Sequence, residues 1–261
     1  MTAHLTAHAY GKTGVRVAKV ERGADAHVFH DLTVRLWLEG DFSASYLVGD
    51  NSTSLPTDTM RATAFALAAD EPMAETERYL ERVLRKILDS TPVAVTGHAE
   101  ATIHAWDRIA SGGGPHPSAF RRGVGDGTAT VVVHRDGPAE VSSGLTGLVV
   151  ARTAGSEYSG FLQDDLTVLA ETTDRVFATE VEAEWTWRAE PASYPAVRVQ
   201  VQQVLERVFS AHHSLAVQHT LFAMGEAVLE AAPDIAGISL RMPNRHHVPV
   251  DLTPFARENR N

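Results

Sequence analysis

Lys12, Thr57, Tyr158, Arg175 and Gln218 carry side chains of types that can move a proton or fix a polar ligand. Lys12 follows Tyr10-Gly11 at the head of an alternating segment. A lysine amine, with an ordinary pKa of about 10.4, serves as a base near neutrality only where burial or a neighbouring cation favours its neutral form. Thr57 lies in Pro56-Thr57-Asp58-Thr59, ahead of a helical stretch. Arg175 offers a planar fork that pairs bidentately with a flat acceptor edge, which lysine does not reproduce. Gln218 carries a donor and an acceptor on one amide. Taken singly, most of these have ordinary structural roles. Lys12 is a solvated strand-end residue, Thr57 caps a helix, and Arg175 pairs with Asp174 at the surface. Gln218 faces solvent from a first helical turn, and Asn244-Arg245-His246 is a turn between strands. Tyr158 fits less easily, because an aromatic in a polar, Gly-flanked loop has no evident core to join.

The familiar catalytic signatures are absent. There is no P-loop, no complete G-x-G-x-x-G, no H-E-x-x-H and no G-x-S-x-G. Gly123-Val124-Gly125-Asp126-Gly127 lacks the third glycine at the required offset and reads as a turn. The 13 histidines raise the question of a metal. His98 and His104 could share a strand face, and His212, His213 and His219 are close in sequence. Neither set comes with a carboxylate partner at ligand spacing, so no metal is assigned. With no cysteine in 261 residues there is no disulfide, thiolate site or cysteine nucleophile, as in a cytoplasmic protein. The formal net charge of -10 with scattered basic residues argues against nucleic acid as a partner. An anionic substrate would depend on local Arg and Lys for its capture. No apolar run approaches the roughly 20 residues of a membrane helix. The Met1–Thr6 start lacks the blocks of a signal peptide, and Arg257–Asn261 carries no peroxisomal address.

The elements that must position these residues repeat once along the chain. Val15 to Val20 and Leu32 to Leu38 alternate as strands. A helix opens at Pro56-Thr57-Asp58, and a second follows from about Pro72 with Tyr79, Leu80, Val83, Leu84, Ile87 and Leu88 at helical spacing. Val93 to His104 and Thr128 to His134 read as strands, separated by a loop rich in Gly and Pro, Ser111 to Pro117. The order then recurs. Leu145 to Arg152 and Arg175 to Trp187 are strands. Two helices follow, marked by Val201 to Phe209 and Val217 to Val228, and Ile238 to Met242 and Val248 to Leu252 close the block as strands. The expected fold is α+β, two halves (1–138 and 139–261) of four antiparallel strands with two helices on one face. The Trp185 and Trp187 row is expected on the opposite sheet face, awaiting burial by association.

Eight short motifs in register carry a resemblance to the uricase family from Tyr10 to about Leu252. They are Tyr10-Gly11-Lys12, Leu38-Glu39-Gly40-Asp41-Phe42, Ser45-Tyr46 with Gly49-Asp50-Asn51-Ser52, Pro56-Thr57-Asp58-Thr59, Phe161-Leu162-Gln163-Asp164-Asp165, Asp174-Arg175, Ala216-Val217-Gln218-His219-Thr220, and Pro243-Asn244-Arg245-His246. The resemblance implies two tandem tunnelling-fold halves assembling into a barrel-like homotetramer with active sites between subunits. It implies oxidation of urate by O2 and water to 5-hydroxyisourate and hydrogen peroxide, with no cofactor. Lys12 and Thr57 resemble the family's catalytic dyad, with His246 as a proton relay. Arg175, Gln218 and backbone groups of Asp58 and Val217 would bind the urate rim, Tyr158 would stack on the ring, and Asn244 would hold dioxygen and then water. Three positions depart from the family pattern. Tyr158 replaces a phenylalanine, Gln163 a basic residue, and Met60-Arg61-Ala62 departs from the usual lysine-asparagine pair. Two alternatives stay open: a zinc-dependent purine or pterin enzyme of the same fold, and a purine binder without catalysis.

Overall fold

A computed structural model describes residues 4–70 and 72–259. The readings on residues 1–3 and 260–261 lie outside the described residues. Among the described residues nine strands form: β1 (Ala9–Arg22), β2 (His27–Gly40), β3 (Ala94–Ile103), β4 (Trp106–Ser111), β5 (Gly114–Arg122), β6 (Asp126–His134), β7 (Ala139–Arg152), β8 (Phe177–Trp187) and β9 (Ile235–Arg241). Five α-helices accompany them among the same residues: α1 (Ser43–Val48), α2 (Thr57–Asp70), α3 (Thr76–Asp89), α4 (Tyr194–Ala211) and α5 (Val217–Ala231). Seven strands make one antiparallel sheet in the order β1-β2-β3-β6-β7-β8-β9, so β1 and β9 are its free edges. This is the expected α+β arrangement. The sheet runs unbroken across the 138/139 division, because Val133 of β6 pairs with Ala139 of β7.

Each helix pair covers its own half. The face of α3 formed by Tyr79, Leu80, Val83, Leu84, Ile87 and Leu88 is at most 3% exposed. Burying each such side chain contributes about 1.5–3 kcal/mol. These residues join a cluster drawn from residues 15 to 133, while a second cluster spans residues 145 to 242 under α4 and α5. A polar seam joins the two halves. Glu77 of α3, fully buried, accepts from Arg198 of α4 and from Ser143 Oγ of β7 at 2.5 Å, and Ser143 in turn accepts from Trp187 Nε1.

Four features differ from the sequence expectation. The Gly- and Pro-rich stretch forms a hairpin, β4–β5, rather than a loop. Helix α1 was not foreseen; its apolar residues are exposed, so no periodic buried face marks it. Val248–Leu252 is irregular rather than a fourth strand of the second half. Val248 and Val250 are 78% and 65% exposed, and an apolar run without a partner strand has no ladder to join. Finally, Phe177, Val181 and Trp185 point into the helix-covered core, with Trp187 packed beside them. The opposite face of β8 carries Glu180, Glu182 and Glu184 instead, since successive residues alternate sides.

Candidate active site

The first-half candidates sit at the β1 edge. Gly11 allows strand β2 to approach: a Cβ there would lie 2.0 Å from the Leu36 carbonyl oxygen. The register then shifts between Lys12 and Val15, where Gly14 takes a left-handed φ of 68°, a bulge that re-aims the side chains around it. Tyr10 donates to the Leu55 carbonyl at 2.9 Å and meets Phe42 edge-on, holding the segment before α2 against β1. Lys12 thereby reaches the start of α2. Among the described residues its hydrogen-bond partner is the Asp58 carboxylate at 3.1 Å, not the Thr57 hydroxyl. Thr57 is the first residue of α2, and Lys12 remains one-third exposed. Arg61 approaches the same Asp58 oxygen at 3.5 Å. The Lys12 hydrogen bond and the Arg61 charge hold the Asp58 carboxyl below its ordinary range. The expected setting for Lys12 was burial or a neighbouring cation; within one chain it is a shared carboxylate.

The second-half candidates gather around the opposite end of the sheet. Tyr158 exchanges backbone hydrogen bonds with Thr172, which brings Arg175 over its ring at 5.1 Å, while Phe161 stacks on Tyr158 at 4.9 Å. Asp174 accepts from the Gly155 amide. The Arg175 Nε is buried without a hydrogen-bond partner among the described residues. The Tyr158 loop is tied to the segment before α5, because Glu157 N–H donates to Ser214 O and Ser214 N–H to Gly155 O. Val217 and Gln218 follow as the first residues of α5, with the Gln218 amide exposed. Asn244 bridges to Thr179 of β8, and Arg245 is pinned by the Ala178 carbonyl and an ion pair to Glu180. His246 Nδ1 lies 3.3 Å from the Asn244 amide nitrogen. Phe161, Glu180 and Arg61 were not singled out for these contacts by sequence, since each depends on a neighbour distant along the chain or in an adjoining turn.

The two groups do not meet within one chain. Lys12, Thr57 and Asp58 belong to the β1 edge, whereas Arg175 and Asn244 flank β8, five strand spacings or about 25 Å away. Both free edges carry exposed apolar helix residues: Phe65 on α2, and Phe222 and Leu229 on α5. An apolar groove of about 540 Å³ between α5 and β9 is lined by Leu221, Phe222, Gly225, Leu229, Ile238 and Leu240.

The histidines considered for metal binding make other contacts. His98 stacks on Trp37 at 4.7 Å. His104 bridges Arg16, Thr33 and Asp126. His212 and His219 meet edge to face at 4.4 Å. Burial, followed by His219, Arg152 and His213, holds the His212 pKa below its ordinary value near 6.5. A histidine lowered in the folded state contributes stability that is present above the unfolded pKa and lost as pH falls below it. Acidification from pH 7 to 5 is therefore expected to lower hydrogen-exchange protection at the Glu157 and Ser214 amides. His212→Gln, which cannot take up the proton, should flatten that dependence; an identical pH dependence in wild type and variant would rule His212 out as its source.

Comparison with known proteins places the chain among relatives of one kind. The model of the uricase family matches residues 8–132 and 141–261. A uricase from Arthrobacter globiformis is 38% identical over 252 residues, covering 97% of this chain and 82% of the relative. A uricase from Dictyostelium discoideum is 34% identical, covering 98% and 91%. The crystal structure of the Arthrobacter globiformis uricase superposes with a TM-score of 0.92 at 37% identity, covering all of this chain and 89% of that one. The motifs at both sheet edges, the fold and these likenesses agree: the chain belongs to the uricase family.

Proposed function

We propose that this protein is a urate oxidase whose active sites form where the β1 edge of one chain meets the β8–β9 side of another. The observation that carries this reading is the separation of two polar groups on opposite flanks of one sheet, each beside a free edge and an exposed apolar helix. Pairing β1 with β9 of a neighbour would close the sheet, cover Phe65 and Phe222, and bring Lys12, Thr57 and Asp58 to Tyr158, Arg175, Val217, Gln218, Asn244 and His246. The two halves, 1–138 and 139–261, would act as repeats of one unit, and two closed pairs would stack as a homotetramer. The irregular 248–252 segment, with Val248 and Val250 exposed, suits a chain that finds further partners on assembly.

In this site the urate anion lies flat on Tyr158. Arg175 binds one edge through its fork, and its unpartnered Nε provides a donor. Gln218 and the backbone of Val217 and Asp58 satisfy the remaining rim. Lys12, acting through the Thr57 hydroxyl with His246 as relay, takes the proton that makes urate electron-rich enough to reduce O2 directly. Asn244 holds O2 and then the water that adds at the ring carbon. The products are 5-hydroxyisourate and hydrogen peroxide, so two electrons leave the purine and both reach oxygen. No cofactor enters this scheme, and the protein works in the cytoplasm.

Oxygen uptake by chelator-treated protein given urate, with the near-ultraviolet absorbance of urate followed in parallel, tests the proposal. Coupled loss of oxygen and urate with appearance of peroxide supports it. Binding of urate with neither change points to a purine binder, and one tightly held zinc per chain points to the metal-dependent alternative. Arg175→Ala is expected to raise KM for urate by about 10–100-fold, the worth of charge-assisted hydrogen bonds. Arg175→Lys should recover little of it, because an ammonium lacks the fork.

A further inference from the structure

We infer that the Asp58 side chain is a positioning residue for Lys12, and that Arg61 moderates it by drawing on the same carboxylate. This rests on the assignment of Lys12 as the base of a urate oxidase, and extends it to a side chain so far assigned only a backbone role.

Three observations converge. Lys12 Nζ donates to Asp58 Oδ1 at 3.1 Å, and Arg61 Nη2 lies 3.5 Å from that same oxygen. Asp58 and Arg61 occupy one face of α2, three residues apart, so the helix itself sets their spacing. The bulge after Lys12 leaves its amine at the end of β1 nearest the first turn of α2. The charged groups facing Lys12 from α2 are Asp58 and Arg61; its neighbour along β1, Tyr10, is engaged by the Leu55 carbonyl, and its cross-strand partner on β2 is the apolar Leu36.

The physical consequence has two opposing parts. A carboxylate in contact with the amine fixes its location, which keeps the nitrogen at the first turn of α2, where Thr57 begins the helix, without burying it. Shared with Arg61, that carboxylate is partly neutralised and holds the amine less tightly. Lys12 can then turn to Thr57 when a substrate anion and the neighbouring subunit complete the site.

The chain has only three lysines, Lys12, Lys19 and Lys86, so protein labelled with 13C at the lysine ε-carbon gives three signals, and Lys12→Arg identifies the one from Lys12. In Asp58→Asn, which preserves size and backbone, the Lys12 signal is expected to change position and sharpen at fixed pH, because the amine is no longer held, and kcat for urate should fall about 2–5-fold, the worth of one partly exposed ion pair, at nearly unchanged KM. Asp58→Glu, which restores a carboxylate, should recover part of that loss. In Arg61→Gln the signal should lie further from its Asp58→Asn position than in wild type, because Asp58 is then left to Lys12 alone. A Lys12 signal unchanged in Asp58→Asn overturns the inference. A signal that changes while kcat stays at the wild-type value upholds the pairing and instead removes Lys12 as the base, so the two failures are distinguishable.

Discussion

Lys12→Met is expected to lower kcat with urate by about 10²–10⁴-fold, the range general-base catalysis contributes, while leaving the affinity for an unreactive purine analogue nearly unchanged. Methionine keeps the length and apolar stem of the side chain and removes only the amine, and the exposed setting of Lys12 makes a folding defect a minor concern. The rest of the machinery separates the outcomes. Arg175, Gln218 and Tyr158 belong to the opposite flank of the sheet, so binding should survive a change at β1. Combining Lys12→Met with Thr57→Ala should cost little more than either alone, since groups that pass one proton fail as a unit. Wild-type turnover in purified Lys12→Met would remove this side chain from the chemistry. A large rise in KM at unchanged kcat would reassign it to substrate capture, a reasonable task in a chain with a net charge of -10.

The largest effect on stability is expected at Glu77, far from any proposed chemistry. Its carboxylate is wholly buried, and within the chain it is met by Arg198, itself 12% exposed, and by Ser143. Removing one member of such a pair leaves an uncompensated buried charge, which costs about 3–5 kcal/mol. Glu77→Ala should therefore lower the thermal midpoint by roughly 10 °C. Glu77→Gln keeps an acceptor for the guanidinium and should lose less. The double replacement Glu77→Met with Arg198→Met removes both charges and should recover much of the loss. Scanning calorimetry at fixed protein concentration checks the series, because the proposed assembly would make the midpoint depend on concentration. A shift of only 1–2 °C in Glu77→Ala would mean that water reaches the seam.

This pair also explains why the halves hold together. Glu75 receives Ser193 Oγ and the Tyr194 amide, and Arg78 reaches Glu190 and the Pro191 carbonyl, all within one turn of Glu77. The start of α3 therefore grips the start of α4 through four charged or polar partners. Each half has its own apolar core, yet the junction is polar, which fixes their register as well as their proximity.

The sequence by itself determined whatever depends on local period and on residue type. The helical spacing of Tyr79 to Leu88 could bury only one face, and that face is the core of the first half. Alternation in Leu32 to Leu38 required a strand with one apolar side, and the eight motifs in register placed the candidate residues on named elements. Tertiary structure decided what depends on a partner. A period of two shows that Trp185 and Glu184 face opposite sides, but not which side the helices cover; α4 and α5 chose the Trp185 side. Apolar alternation at 248–252 is a strand only if another strand supplies its hydrogen bonds, and among the described residues none does. Gly112, Gly113 and Gly114 read as a break, yet the segments on either side, close in sequence, could pair as a hairpin. The charge beside Lys12 was the least legible feature. Asp58 lies 46 positions away in sequence, and only the packing of α2 against β1 brings its carboxylate to the amine. The family resemblance could nominate a base; the contact that holds its amine is one that no local pattern encodes.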